Sequence, residues 1–320
     1  MGLQIDPQVL AELTPLLAAG AGAPRPAVGD IATRRINARR MFDQLAAARP
    51  PVPEVEVAQY RATAQDGATV PLRWYRPADV PAPGSAALYL HGGGMIYGLS
   101  DLGALYDSAV RGYVAASGVP ILLVDYRISP EFPHPTPLHD CYAGLVWLAE
   151  HADELGVEPT RVAVMGDSAG GGLAAGLCLL ARDRGGPPIA QQLLIYPMLD
   201  DRTSVPDPQL VPFLTWTYDD NVTGWQALLG ERLGTAGVPP YAAAARATDL
   251  SGLPAAYLDV GALDIFRDEV ASYARALARG GVATELHMHP GCPHAFELVA
   301  PGAAVSRRAI ADRVRRLQSV

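Results

Sequence analysis

The sequence predicts an α/β protein: a mostly parallel eight-stranded sheet flanked by helices, with a helical cap outside it. Three observations carry this. From about residue 86 onward, short apolar runs alternate with stretches of helical length, the pattern of buried parallel strands and their crossover helices. Earlier, Asp66-Gly67 gives the hairpin signal between two strand-like runs, so the sheet begins antiparallel. Residues 197–252 hold no credible strand yet are rich in aromatics, an excursion longer than a compact sheet needs for its own connections.

In chain order, helices are expected over 7–19 and 30–48, separated by the Pro/Gly-rich loop 21–29. Strands at 55–64 and 69–76 form the hairpin. After the Pro-rich turn 78–85 come strands at 86–91, 119–126, 161–165, 191–196, 255–260 and 283–289. Helices near 102–116, 138–154, 169–184, 267–279 and 304–317 lie between and after them. The chain thus divides into N-terminal cap helices (1–53), a sheet domain (54–200 and 246–320) and a cap insertion (201–245).

Composition excludes several classes. At 320 residues, 49% hydrophobic and 18% charged, the chain can bury a large core. Its net charge of −8 argues against a nucleic-acid partner, which requires a basic surface. No apolar run is long enough for stable membrane insertion, and the N-terminus, with Asp6 and Glu12 and no basic segment, lacks the pattern of a secretory signal. Cys141, Cys178 and Cys292 fit neither a zinc nor a disulfide spacing and read as free thiols. A cytoplasmic protein is expected. In the last helix, Val305, Ile310, Val314 and Leu317 read as the packed side, leaving Arg307, Arg308, Arg313, Arg315 and Arg316 on a solvated one.

The chemistry concentrates around Arg161 to Ala175, RVAVMGDSAGGGLAA. A strand runs into a helix across a G-x-S-x-G turn, and Ser168 sits at the bend, where a strained backbone exposes a nucleophilic hydroxyl. Gly166 and Gly170 remove the Cβ atoms that would collide there. About 75 residues earlier, His91-Gly92-Gly93-Gly94-Met95 follows a strand and offers a backbone able to turn its amides toward a developing oxyanion. His91 belongs to that loop and reads as a brace.

A serine nucleophile needs a base and a group to orient it. Of seven histidines, His134, His139 and His151 precede the serine and read as surface or packing residues. His287 and His289 alternate on a late strand without a Cys or carboxylate at metal-ligand spacing, so no metal is assigned. His294 lies past that strand's end and is the candidate base. Asp264, just beyond the strand before it, is the candidate orienter, whereas Asp259 lies inside the strand and Asp268 and Glu269 open a helix.

HGGG, DYRISPE, GDSAGG and the later aspartate and histidine loops together resemble the hormone-sensitive lipase family of α/β-hydrolases, the group of bacterial carboxylesterases and arylacetamide deacetylases. The resemblance runs from about Leu72 to Phe296. It implies an α/β-hydrolase fold with a helical cap, and hydrolysis of small-molecule esters of short to medium acyl chain without a cofactor. Ser168 would be nucleophile, His294 base and Asp264 orienter. Gly93, Gly94 and Ala169 would donate to the oxyanion, with His91, Gly92 and Asp167 supporting the loop. Two departures stand out: Ile128-Ser129 replaces the usual Leu-Ala, and Met95 stands where Phe or Trp is common. Met95, Phe213 and Trp216 are expected on the substrate pocket, and Tyr218 and Trp225 complete the aromatic set of the insertion. Homodimers occur in the family, though no residue pattern here demands one. Two alternatives share the frame: an amidase or deacetylase on the same machinery, and a non-catalytic small-molecule receptor.

Overall fold

The computed structural model describes residues 2–20, 22, 25–78 and 84–320. The first two helices, α1 (Pro7–Gly20) and α2 (Ile31–Ala47), precede a hairpin of β1 (Val55–Thr63) and β2 (Thr69–Pro77). Then follow β3 (Gly84–Leu90), α3 (Leu99–Ser117), β4 (Ile121–Val124), α4 (Thr136–Glu150), α5 (Ala152–Leu155), β5 (Val157–Asp167), α6 (Ala169–Arg184) and β6 (Gln191–Ile195). After α7 (Tyr218–Leu229) come β7 (Ala255–Gly261), α8 (Arg267–Arg279), β8 (Thr284–His289), α9 (Phe296–Val299) and α10 (Ala304–Gln318). The Pro-rich turn and the loop before α2 lie partly outside the described residues.

All eight strands join one sheet in the order β1-β2-β4-β3-β5-β6-β7-β8. β2 pairs antiparallel with both β1 and β4, and every other pairing is parallel. The burial patterns explain the placement. β1 is mostly exposed, with only Val55 and Ala62 buried, as fits an edge strand, whereas β4 and β6 are buried throughout and sit inside. Parallel strands point their carboxyl ends the same way, so the loops after β3, β5, β7 and β8 meet on one edge.

Two expectations are corrected. The helix expected over 138–154 is two helices, because His151 leaves helical geometry while its amide and its Nδ1 both reach the Trp147 carbonyl. Arg313 is not on a solvated face: it is fully buried, held by Asp259 at 2.6 Å and Glu297 at 2.7 Å. The reason is spacing, since Val305, Ala309, Arg313 and Leu317 recur every four residues and all point inward.

The N-terminal segment is tied to the far end of the chain. Asp6 donates its amide to the Gly291 carbonyl at 2.9 Å, and Val9 and Leu13 pack with Cys292, Phe296 and Val299 in a second apolar cluster. Among the described residues, no helix is long and apolar enough to cross a membrane.

Candidate active site

Ser168 ends β5 and begins α6 with φ 54° and ψ −120°, a conformation that non-glycine residues adopt only under constraint. The constraint is visible: its amide donates to the Ile195 carbonyl, and its own carbonyl accepts from Gly172 and Met198. The elbow also tolerates no bulk. A Cβ on Gly170 would lie 2.0 Å from the Leu90 carbonyl oxygen, so β3 and the start of α6 touch backbone to backbone.

The structure brings the three expected polar groups together. His294 Nε2 lies 2.9 Å from Ser168 Oγ, and its Nδ1 lies 2.6 Å from Asp264 Oδ2. Both contacts are satisfied when Nδ1–H donates to the carboxylate and Nε2 accepts from the serine hydroxyl. Asp264 is fully buried, and its other oxygen accepts from the Phe266 amide at 3.0 Å, which fixes the carboxylate plane. Phe266 and Tyr196 flank the imidazole, with ring centroids 5.2 and 4.8 Å away. From the segment before α7, Thr215 donates its hydroxyl to the His294 carbonyl at 2.7 Å.

The glycine loop after β3 comes beside the serine. Among the described residues, nothing accepts from the amides of Gly93, Gly94 or Ala169. The loop is held from behind by Asp167. This carboxylate accepts from Tyr89 at 2.9 Å, Tyr106 at 2.6 Å and the Gly92 amide at 3.1 Å, and Gly92 also donates to the Tyr106 oxygen at 2.7 Å. Burial pushes the Asp167 carboxyl up to about 6, although the two tyrosine hydrogen bonds pull it down. His91 braces the other side, stacked on Tyr126 at 4.1 Å and bonded through Nδ1 to the Gly92 carbonyl. Burial lowers its pKa to about 4, so it stays neutral at ordinary pH.

Above Ser168 and His294 opens a cavity of about 350 Å³. Leu13, Leu16 and Leu17 of α1, Met41 and Phe42 of α2, and Leu214 and Trp216 make much of its apolar wall. Trp216 stands over Gly94, where a Cβ would lie 2.3 Å from its ring. The other two expected pocket residues are elsewhere. Met95 is fully buried in the main core with φ 65°, and Phe213 sits on a short 3-10 turn away from the lining. Tyr218 and Trp225 are buried in α7 as packing residues.

Sequence reasoning missed the residues that hold the wall in place. Arg34 of α2 bonds Asp220 at 2.8 Å and the carbonyls of Pro26, Ala27 and Asp30, joining the N-terminal segment to α7. Arg35 holds Glu131 of the DYRISPE segment through both carboxylate oxygens, and that contact draws the Glu131 carboxyl down to about 2. Their only signal was an arginine pair in an otherwise weakly patterned helix. Near the last strand, Glu285 and Asp312 do flank His287, contrary to the sequence reading, but Arg315 and Arg316 already pair with these carboxylates.

A nucleophile elbow at the carboxyl end of a parallel sheet, with a hydrogen-bonded histidine and aspartate after later strands, defines the α/β-hydrolase class. A family model described as the alpha/beta hydrolase fold matches residues 87–298, and the chain belongs to this family. The carboxylesterase NlhH of Mycobacterium tuberculosis is 36% identical over 274 residues, covering 83% of this chain and 84% of the relative. An ethyl acetate hydrolase of Pseudomonas putida is 34% identical, covering 81% and 82%. Among solved structures, a bacterial heroin esterase superposes with a TM-score of 0.87 at 35% identity, covering 99% of this chain and 98% of that one. Within the family the chain is an enzyme of the carboxylic ester hydrolase class, of the hormone-sensitive lipase type.

Proposed function

We propose that the protein is a serine carboxylesterase acting on esters of short to medium acyl chain through an acyl-enzyme. The observation that carries this reading is the continuous line from Asp264 through His294 to Ser168, under an apolar cavity that Gly93 and Gly94 also line. Ser168 Oγ attacks the ester carbonyl while its proton passes to His294 Nε2. The new oxyanion is held by the amides of Gly93, Gly94 and Ala169. Asp264 stabilises the imidazolium, which then protonates the departing alcohol, and water repeats the sequence on the acyl-serine.

The cavity lies near the lower end of the volumes that small-molecule sites usually have, and its walls are apolar, which favours short and medium chains over long ones. Residues 1–53 and 201–245 act in this reading as the cap that sets acyl choice. Three unpaired cysteines fit a reducing cytoplasm. The test is a p-nitrophenyl ester series from acetyl to palmitoyl, with Ser168→Ala alongside. Turnover of the short esters that vanishes in the variant is expected; full residual turnover in Ser168→Ala would sink the assignment.

A further inference from the structure

Behind the imidazole lies a buried charged cluster that the proposed reaction has not yet used. Tyr196 follows β6 with φ 31°, a strained conformation for a tyrosine, and its ring meets His294 edge to face. Its hydroxyl donates to Glu297 Oε1 at 2.6 Å. Glu297 lies three residues beyond His294, on α9, and is 4% exposed. The same oxygen accepts from Arg313 Nη1, while Glu297 Oε2 is buried without a partner among the described residues.

We infer that Glu297 is a positioning residue for His294, acting through Tyr196. The inference rests on the proposed esterase chemistry. A carboxylate that fixes the Tyr196 hydroxyl fixes the ring, and the ring, with Phe266 on another side, keeps the imidazole from turning off the line between Asp264 and Ser168. A base held within a few tenths of an ångström and a few degrees of its working position preserves much of the rate that proximity supplies.

The carboxylate that tethers Tyr196 is itself anchored by charge. Arg313 shares its guanidinium between Glu297 and Asp259, whose two oxygens it meets at 2.6 and 3.0 Å. Facing Glu297 from other elements are Tyr196, Tyr113 of α3 through Arg313, and the electrostatic neighbours Arg49, Asp167 and His289. His294 itself faces Asp264, Ser168 and, electrostatically, Asp167.

Two variants separate positioning from a merely structural role. Glu297→Leu removes the acceptor for Tyr196 at similar volume; Tyr196→Phe keeps the ring but removes the same tether from the other end. On a short-chain p-nitrophenyl ester, each should lower kcat about tenfold with KM within about twofold of wild type, and the double variant should fall no further than the worse single one. Glu297→Gln, which keeps an acceptor for Tyr196, should recover most of the loss, to within about threefold of wild-type kcat. Variants that lose only melting temperature, with kcat unchanged, overturn the inference. If Glu297→Leu does not fold, Tyr196→Phe decides alone, and a kcat within twofold of wild type overturns it. A wild type that hydrolyses no ester overturns the proposed function and this inference together, whereas an active wild type with indifferent variants overturns only the inference.

Discussion

Asp167 stands beside Ser168 yet directs its carboxylate toward Tyr89, Tyr106 and Gly92. Its position in GDSAGG is legible in the sequence, but its two tyrosine partners are not, because β3 and α3 carry them as ordinary members of buried runs. Its titration gives a stability prediction. The folded carboxyl lies near 6 while an unfolded aspartate lies near 3.8, so the folded state holds the proton more tightly between those values. The group's contribution to stability is therefore fully present below about 4 and lost as pH rises through about 6. Asp167→Asn has no such titration. Urea melts at pH values from 4 to 7 should show the variant gaining on wild type as pH rises, by on the order of 2–3 kcal/mol; a constant difference would contradict the buried, proton-hungry carboxylate. The same residue scale explains the two misplaced pocket residues. Family position put Met95 on the cavity and the aromatic content of the insertion put Phe213 there, but a side chain's direction depends on backbone angles, such as the positive φ of Met95, that no motif encodes.

At the scale of elements, periodicity and turn chemistry read the sheet well. α6 and α8 run between the expected residues, and the strands agree to within a few positions, since buried apolar runs bounded by Gly and Pro leave little choice. Less legible was how α2 works. Only Arg34, Ala38 and Leu45 of its residues are buried, so it is held less by an apolar face than by arginines. Arg34→Ala removes the bond to Asp220 and three carbonyl contacts at once. Breaking a buried pair costs about 3–5 kcal/mol, and less here because the Asp220 side chain is 20% exposed. A lower melting temperature is expected, with a severalfold rise in KM for medium-chain esters and a kcat for acetyl esters close to wild type. An unchanged KM would mean that the Arg34 to Asp220 link does not shape the cavity.

At the scale of the whole molecule, the order of Ser168, Asp264 and His294 along the chain became a site because three parallel strands, β5, β7 and β8, end on one edge. That much follows from topology. The cluster around Arg313 does not: the four-residue spacing put Arg313 on an inward stripe, but only the fold brings Asp259 and Glu297 to meet it. The groups of the proposed reaction are thus set in a sheet whose inner strands β4 and β6 are buried throughout, while α1, which walls the cavity, buries only Val9 and Leu13 of its residues. Elements with few buried contacts open at lower free energy than the core. On warming, catalysis should therefore fade before the protein melts. Activity assayed at the working temperature should decline several degrees below the midpoint of the far-ultraviolet transition and return on cooling, whereas loss of activity coincident with that transition would mean that the wall and the sheet melt as one.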